Sequence, residues 1–567
     1  MSAALLATLS AVPAAADPAA PSSPGFDPRQ TEQRFDAWQR EETQRRPPLH
    51  LPRFGAAPAP AAGKPLFVLG GVAITGARTL AAEDLAGAWQ PYLGRSVSAA
   101  DLAAIAGAIS ELYRARGYHL SRAIVPPQDV DGGRVRIEVI EGAITDIAIV
   151  GGDAARFGAA PMLAAIRAEQ PSRLDTLERQ LLLLGDRPGV RIADTALEEV
   201  GPLSGRFRLT VTLDTWTTFS AFGLDDLGSR PIGPWQSYAT FGFNSLLAPG
   251  DALTLNLATV PNDPRELAFS RLSYDVPVGT DGFRLGGSVV ASEVRPGDER
   301  RLFNDITKTE SAEIRASLAV LQSQAAALTL TTAFGATNAW EANSFGAVYN
   351  DHVRTISFAA DGRLRDGFGG TTFVTASWRQ GLPAFGASDV TDPFTSRFGA
   401  PADFGVFDGF ATRYQALVGA FSLKLSGAVQ FATAPLLLSQ QFYLGGLSFG
   451  RGYGNAEVSG DNALAGSAEL RFDHGVGWQY LKGIQLYGFV DSGAVWDYGF
   501  GIGSGVALTS AGGGIRFFLW DELKADIGVA FPLTYRSPYN PDRTAQVLFS
   551  LSTALRTCAE RAEMRCL

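Results

Sequence analysis

Cysteine is nearly absent from this chain: 567 residues hold two, Cys558 and Cys566, both among the last ten. A disulfide-stapled framework is thereby excluded for the body of the protein, and the terminal pair could bridge only in an oxidising compartment. Histidine is almost as scarce. His50, His119, His352 and His474 are scattered without metal-ligand spacing, so no metal site is expected. Although 46% of the residues are hydrophobic, no charge-free apolar run reaches the ~18 to 20 residues of a spanning helix. Basic charge is lacking as well. A formal net charge of -9 and a pI near 5.2 argue against a nucleic-acid partner. Motifs for phosphate binding or nucleophilic attack fail on context. Gly63-Lys64 is followed by Pro65 where a P-loop needs Ser or Thr, and Gly501-Ile502-Gly503-Ser504-Gly505 has no helix after it. Gly446-Leu447-Ser448-Phe449-Gly450 lacks the strand-turn-helix setting and the partners of a nucleophile elbow. No catalytic residue, cofactor or enzymatic activity is expected.

What is abundant is alternation. From residue 215 to 555, stretches of about ten residues switch between apolar and polar side chains, separated by turns rich in Gly, Asp, Asn and Pro. A strand turns its side chains over at every residue, so Leu253, Leu255 and Leu257 share one face and Thr254 and Asn256 the other. Lys524 and Asp526 likewise oppose Leu523, Ile527 and their phase mates. A cylinder with lipid outside and water inside fits this pattern, and at ~20 residues per strand and connection it would have about 16 antiparallel strands. With 63 Gly, 35 Phe, 14 Tyr and 9 Trp, the chain has the turn formers and interfacial aromatics of a girdled barrel.

The segment before the barrel divides further. An apolar stretch, Ala3 to Val12, precedes Ala14-Ala15-Ala16 and Asp17, which reads as an export signal over residues 1–16 without the usual basic start; an ordinary apolar tail is the other reading. Asp27-Pro28 then opens a helix over 27–46 that is polar on nearly every side, with Phe35 and Trp38 as its large apolar anchors. Such a helix is either free in solvent or held in a watery setting such as a charge-lined lumen. Residues 47–65 form an extended Pro/Ala/Gly linker.

Two α/β units follow. In the first, 66–142, Phe67 to Ile74 suggests an opening strand, and Ser98 caps a helix that carries Leu102, Ile105, Ile109, Leu112 and Tyr113 on one face and ends at Gly117. Strands are expected at Arg122 to Val125 and Arg134 to Ile140. The second unit, 143–214, repeats the order with a strand over Ile144 to Val150, helices near Pro161 to Ala168 and Arg173 to Leu184, and a strand through Phe207, Leu209, Val211 and Leu213. A small sheet covered on one face leaves an edge strand that an extended, unfolded chain could pair with.

One stretch of the barrel region breaks the alternation. Leu444 to Tyr453 is glycine-rich and delivers a single cation, Arg451, as a long loop closing at Gly460-Asp461-Asn462. Folded back into a wide lumen, that arginine needs a fixed carboxylate. In Ile484 to Asp491 the residues Gln485, Tyr487, Phe489 and Asp491 share a phase that its polar members assign to the lumen, which makes Asp491 the partner for a bidentate pair.

These residues resemble the Omp85 superfamily, whose inward loop carries an RG(Y/F) tip and whose barrel wall carries an F-x-D element. The two α/β units resemble POTRA domains, and the polar helix resembles the plug of the two-partner secretion branch (TpsB; the FhaC/ShlB-like haemolysin secretion/activation proteins). By this likeness Arg451, Gly452 and Tyr453 take the loop-tip roles, Phe489 and Asp491 the wall role, and residues 27–46 the plug. The resemblance implies a monomeric bacterial outer-membrane barrel with its POTRA domains in the periplasm. It further implies an unfolded TpsA-like exoprotein, an adhesin or haemolysin, as the secreted partner, moved without nucleotide hydrolysis. An insertase for other barrels is the alternative within the superfamily. The chain departs from the family pattern at its end, where Arg556 to Leu567 follow the last strand in place of a terminal aromatic.

Overall fold

The computed structural model of the chain describes residues 31–32, 34–35, 49, 63–520 and 522–556. The expected export signal, Trp38, both cysteines and most of the 47–65 linker lie outside these residues.

In the first α/β unit the strand Arg134–Ile140 is central, parallel to Gly71–Thr75 on one side and antiparallel to Arg122–Ile124 on the other. The helix Ala99–Ala115 begins at a capping box in which Ser98 Oγ accepts from the Asp101 N–H and the Asp101 carboxylate accepts from the Ser98 N–H at 2.8 Å. Its buried side is Leu102, Ile105, Ala106, Ile109 and Tyr113, with Leu112 half-buried at the margin. The single opening strand expected from Phe67 to Ile74 is two strands. Pro65–Val68 pairs with Ser96–Ser98 in a ladder of its own, and only Gly71–Thr75 joins the main sheet. The chain breaks at Gly70, where a Cβ would stand 2.8 Å from the Gly132 carbonyl oxygen. Strand structure thus already begins at Pro65, inside the segment read as linker.

The second unit has the same plan. Arg206–Thr215 is central, Ala143–Val150 runs parallel to it and Val190–Glu199 antiparallel, and helices Ala159–Ala168 and Leu174–Gly185 cover one face. Leu120 of the first unit is buried in the core of the second, and Arg122 donates to both Glu199 oxygens at 2.7 and 2.8 Å. The units are therefore docked as well as connected.

Sixteen described strands, from Thr218–Asp225 to Gln546–Arg556, form one closed antiparallel barrel. Closure sets Ser550 opposite Asp225 and Arg556 opposite Phe219, so the last strand runs one residue past the expected Leu555. Leu272, Ile314, Phe358, Val374, Leu425, Leu470, Val490 and Phe531 point outward and are exposed, while Asn256, Ser273, Gln430, Glu469 and Asp491 are buried inside. That inversion of apolar and polar faces suits hydrocarbon outside and a polar lumen.

The second α/β unit sits under one arc of the barrel. Arg179 donates to the carbonyls of Ala319 and Asp281 at 2.8 and 2.9 Å, Gln324 N–H donates to Glu178 at 2.8 Å, and Arg187 is buried between Gly158 and Gly250. The turns involved join strands at one end only, which fixes the end of the cylinder that bears the α/β units. Strands Ala326–Asn343 and Gly346–Arg365, 18 and 20 residues long, exceed the ~9 to 11 needed to cross a bilayer and project at the opposite end.

Candidate functional site

Between strands Phe421–Ala432 and Asn462–Gly475 the chain enters the lumen. The segment read as an unpaired loop holds a short hairpin, Phe442–Leu444 against Val458–Gly460, and the Gly-rich tip hangs below it. Gly450 adopts φ +88°, turning the chain so that Arg451 faces the wall. Gly452 then lies flat on that wall: a Cβ there would be 2.8 Å from Pro532 N and 2.9 Å from Ser510 Cβ. No larger residue fits without lifting the tip.

Arg451 and Asp491 form the bidentate pair. Nε donates to Oδ2 at 2.9 Å and Nη2 to Oδ1 at 2.8 Å, and the Arg451 backbone N–H adds a third bond at 3.1 Å. The guanidinium also lies over the Phe489 ring, 3.5 Å from its centroid. Tyr453 closes the tip on its far side. Its hydroxyl donates to the Thr509 carbonyl at 3.1 Å and accepts from the N–H groups of Thr534 and Tyr535 at 3.2 and 3.0 Å. The structure thus brings Arg451, Gly452, Tyr453, Phe489 and Asp491 to one place.

Sequence reasoning missed the rest of the network. Arg451 Nη1 also donates to Glu469 at 2.5 Å, and Glu469 accepts from Arg471 at 2.7 Å and from Arg516 at 2.8 Å. Arg516 reaches on to Asp526 at 2.8 Å and stacks 3.9 Å from the Tyr487 ring centroid, while Tyr487 donates to Asp526 at 2.7 Å. Three guanidiniums, of Arg451, Arg471 and Arg516, thus meet three carboxylates, of Glu469, Asp491 and Asp526. A buried network is stable only when each charge is matched, and this one is. A signal was present in Gly512-Gly513-Gly514. Two successive lumen positions without side chains mean that something large lies over them, here Phe489 and Tyr487.

The helix before the linker also reaches the lumen. Thr31, Glu32, Arg34 and Phe35 are helical. Arg34 donates to Asp225 at 3.2 Å, to Gln236 at 3.0 Å and to the Leu227 carbonyl at 2.6 Å. Phe35 is 5% exposed, edge-on to Tyr238 and stacked on Phe269, with ring centroids 5.8 and 6.0 Å away. Tyr238 and Phe269 belong to the lumen phase of their strands, so of the two readings open for this helix the described residues take the lumen. Arg34 was not anticipated, because an arginine in a polar helix shows no distinguishing pattern.

The family of haemolysin secretion/activation proteins ShlB/FhaC/HecB matches residues 208–517, more than half of the chain, and a ShlB-type POTRA domain matches residues 67–142. The chain belongs to this family. It is an outer-membrane transporter of two-partner secretion with its POTRA domains in the periplasm, a class that acts with a secreted exoprotein. Among relatives of the transporter, the heme/hemopexin transporter protein HuxB of Haemophilus influenzae is 24% identical over 469 residues, 80% of each chain. The structure of CdiB from Escherichia coli has the same fold, with a TM-score of 0.74 at 19% identity over 93% of this chain and 97% of that one. CdiB from Acinetobacter baumannii gives 0.67 at 17% over the same shares.

Proposed function

We propose that the POTRA units capture an unfolded exoprotein at their free strand edges, and that the helix at 27–46 and the loop tip then leave the lumen to let it pass outward. The single observation that supports this reading is how the lumen is filled. Both fillers are held to the wall by side-chain contacts, Arg34 and Phe35 in one and Arg451 with Tyr453 in the other, and neither is part of the barrel ladder. Side-chain locks can break while the strand hydrogen bonds stay intact. Edges that no other described strand pairs are at hand in Gly71–Thr75 of the first unit and Ala143–Val150 of the second, where pairing needs little sequence match.

The chain carries out no reaction of its own. Direction comes from the partner folding outside, which withdraws it from the equilibrium as it emerges. The partner is a large β-helical adhesin or haemolysin, the barrel works as a monomer, and its outward apolar faces contact outer-membrane lipid. Deletion of residues 66–214 tests the reading. Secretion of the partner is expected to stop while the barrel still inserts and conducts; continued secretion would refute it.

A further inference from the structure

Two connections flank the junction of the first and last barrel strands, 226–235 and 533–545, and each holds one of the two lumen fillers. The first seats the helix: the Leu227 carbonyl accepts from Arg34, and Ile232, 7% exposed, packs with Phe35. The second seats the loop tip, through the Thr534 and Tyr535 N–H groups on the Tyr453 hydroxyl. Arg230 joins them. Its Nη1 donates to the Tyr539 carbonyl at 2.5 Å, and its charge attracts the Glu457 carboxylate of the loop, which also bonds Ser537. A cavity of about 420 Å³ lies among these segments, lined by Arg230, Ile232, Tyr535 and Tyr539 from the two connections and by Glu457 of the loop.

We propose that Arg230 is a positioning residue that couples the seating of the helix to the seating of the loop tip, so that loosening one loosens the other. The chain of contacts runs from Arg34 through the 226–235 connection to Arg230, across the bond to Tyr539, and through the 533–545 connection to Tyr453. Coupling of this kind can be carried by a contiguous network of contacts, and the bridged pair of connections supplies one. This rests on the reading that helix and loop leave the lumen, but its test reads the loop alone.

Ser510 is a natural reporter. It is fully buried beneath Gly452 and its hydroxyl has no hydrogen-bond partner among the described residues, so Ser510→Cys costs none of these and becomes reactive only when the tip lifts. With Cys558 and Cys566 replaced by Ser, the rate of labelling by a water-soluble maleimide is compared for the parent, Arg34→Ala, Arg230→Gln and the double variant. Arg34→Ala is expected to raise the rate at least ~5-fold, the lower range of measured site-to-site couplings, and to add nothing once Arg230 is Gln. No effect of Arg34→Ala, or an effect that persists in the Arg230→Gln protein, overturns the coupling. Arg230→Met removes both the charge facing Glu457 and the donor to Tyr539 and repeats the test should Arg230→Gln insert poorly. Loss of secretion plays no part in this readout, so a failure here is distinct from failure of the transport reading.

Discussion

Phe489 occupies the space that a side chain on Gly512 would need: a Cβ at Gly512 would stand 2.7 Å from Phe489 Cζ. The two face each other across paired strands, and the ring in turn carries the Arg451 guanidinium. A side chain there would also press on the Val529 carbonyl oxygen of the next strand, so Gly512→Val is expected to displace Phe489, strain that pairing and weaken the loop lock, with a loss of about 1–3 kcal/mol typical of overpacking. Urea unfolding of the detergent-solubilised barrel, together with labelling of Ser510→Cys, measures it; an unchanged midpoint and labelling rate would contradict the assignment.

Glu469→Gln should be the most disruptive single change in the lumen network. It leaves Arg451, Arg471 and Arg516 with two carboxylates in place of three, and breaking a buried ion network by removing one partner costs about 3–5 kcal/mol. The same unfolding assay is expected to show a larger loss than Ser467→Ala, which removes one neutral hydroxyl from Asp491.

Phe35→Ala removes the aromatic seat of the plug. Large-to-small substitutions at such buried sites cost about 3–5 kcal/mol, so the equilibrium constant for seating should fall by ~100-fold or more. Planar-bilayer recordings are expected to show more frequent opening than in the parent. A closed-state current indistinguishable from the parent would mean that the helix does not obstruct the lumen.

The first POTRA unit carries an acid-sensitive contact. Burial pushes the Glu141 carboxyl up, but the N–H groups of Thr79 and Arg78, at 2.7 and 2.8 Å, and the Tyr113 hydroxyl, at 2.9 Å, outweigh it and hold the group below the usual glutamate value. A depressed carboxylate contributes stability that is present above the unfolded value and is lost as pH falls through the lower folded one. Amide exchange around 76–81 and 138–142 should therefore quicken in that acid range. Glu141→Gln should show little pH dependence at these amides and faster exchange at neutral pH.

The barrel was legible because its signal is local. Alternation along one strand assigns each side chain to lipid or lumen, and this placed Asp491 inward and left Arg451 in need of it. What stayed hidden depends on register between strands distant in sequence. Glu469 and Arg516 stand 47 residues apart and meet only because strands Asn462–Gly475, Leu481–Trp496 and Val506–Leu519 pair as they do. The hairpin Phe442–Leu444 with Val458–Gly460 was missed for a different reason. Strands of three residues are too short for alternation to register.

The central claim is that a polypeptide crosses through the lumen, and site-specific photo-crosslinking to a partner stalled in transit tests it most directly. Thr375 lines the lumen and its neighbour Val374, 44% exposed, faces outward. A photoreactive residue at Thr375 should capture the stalled chain and one at Val374 should not. Capture from Val374 alone, or from neither position while the partner is secreted, would contradict the account.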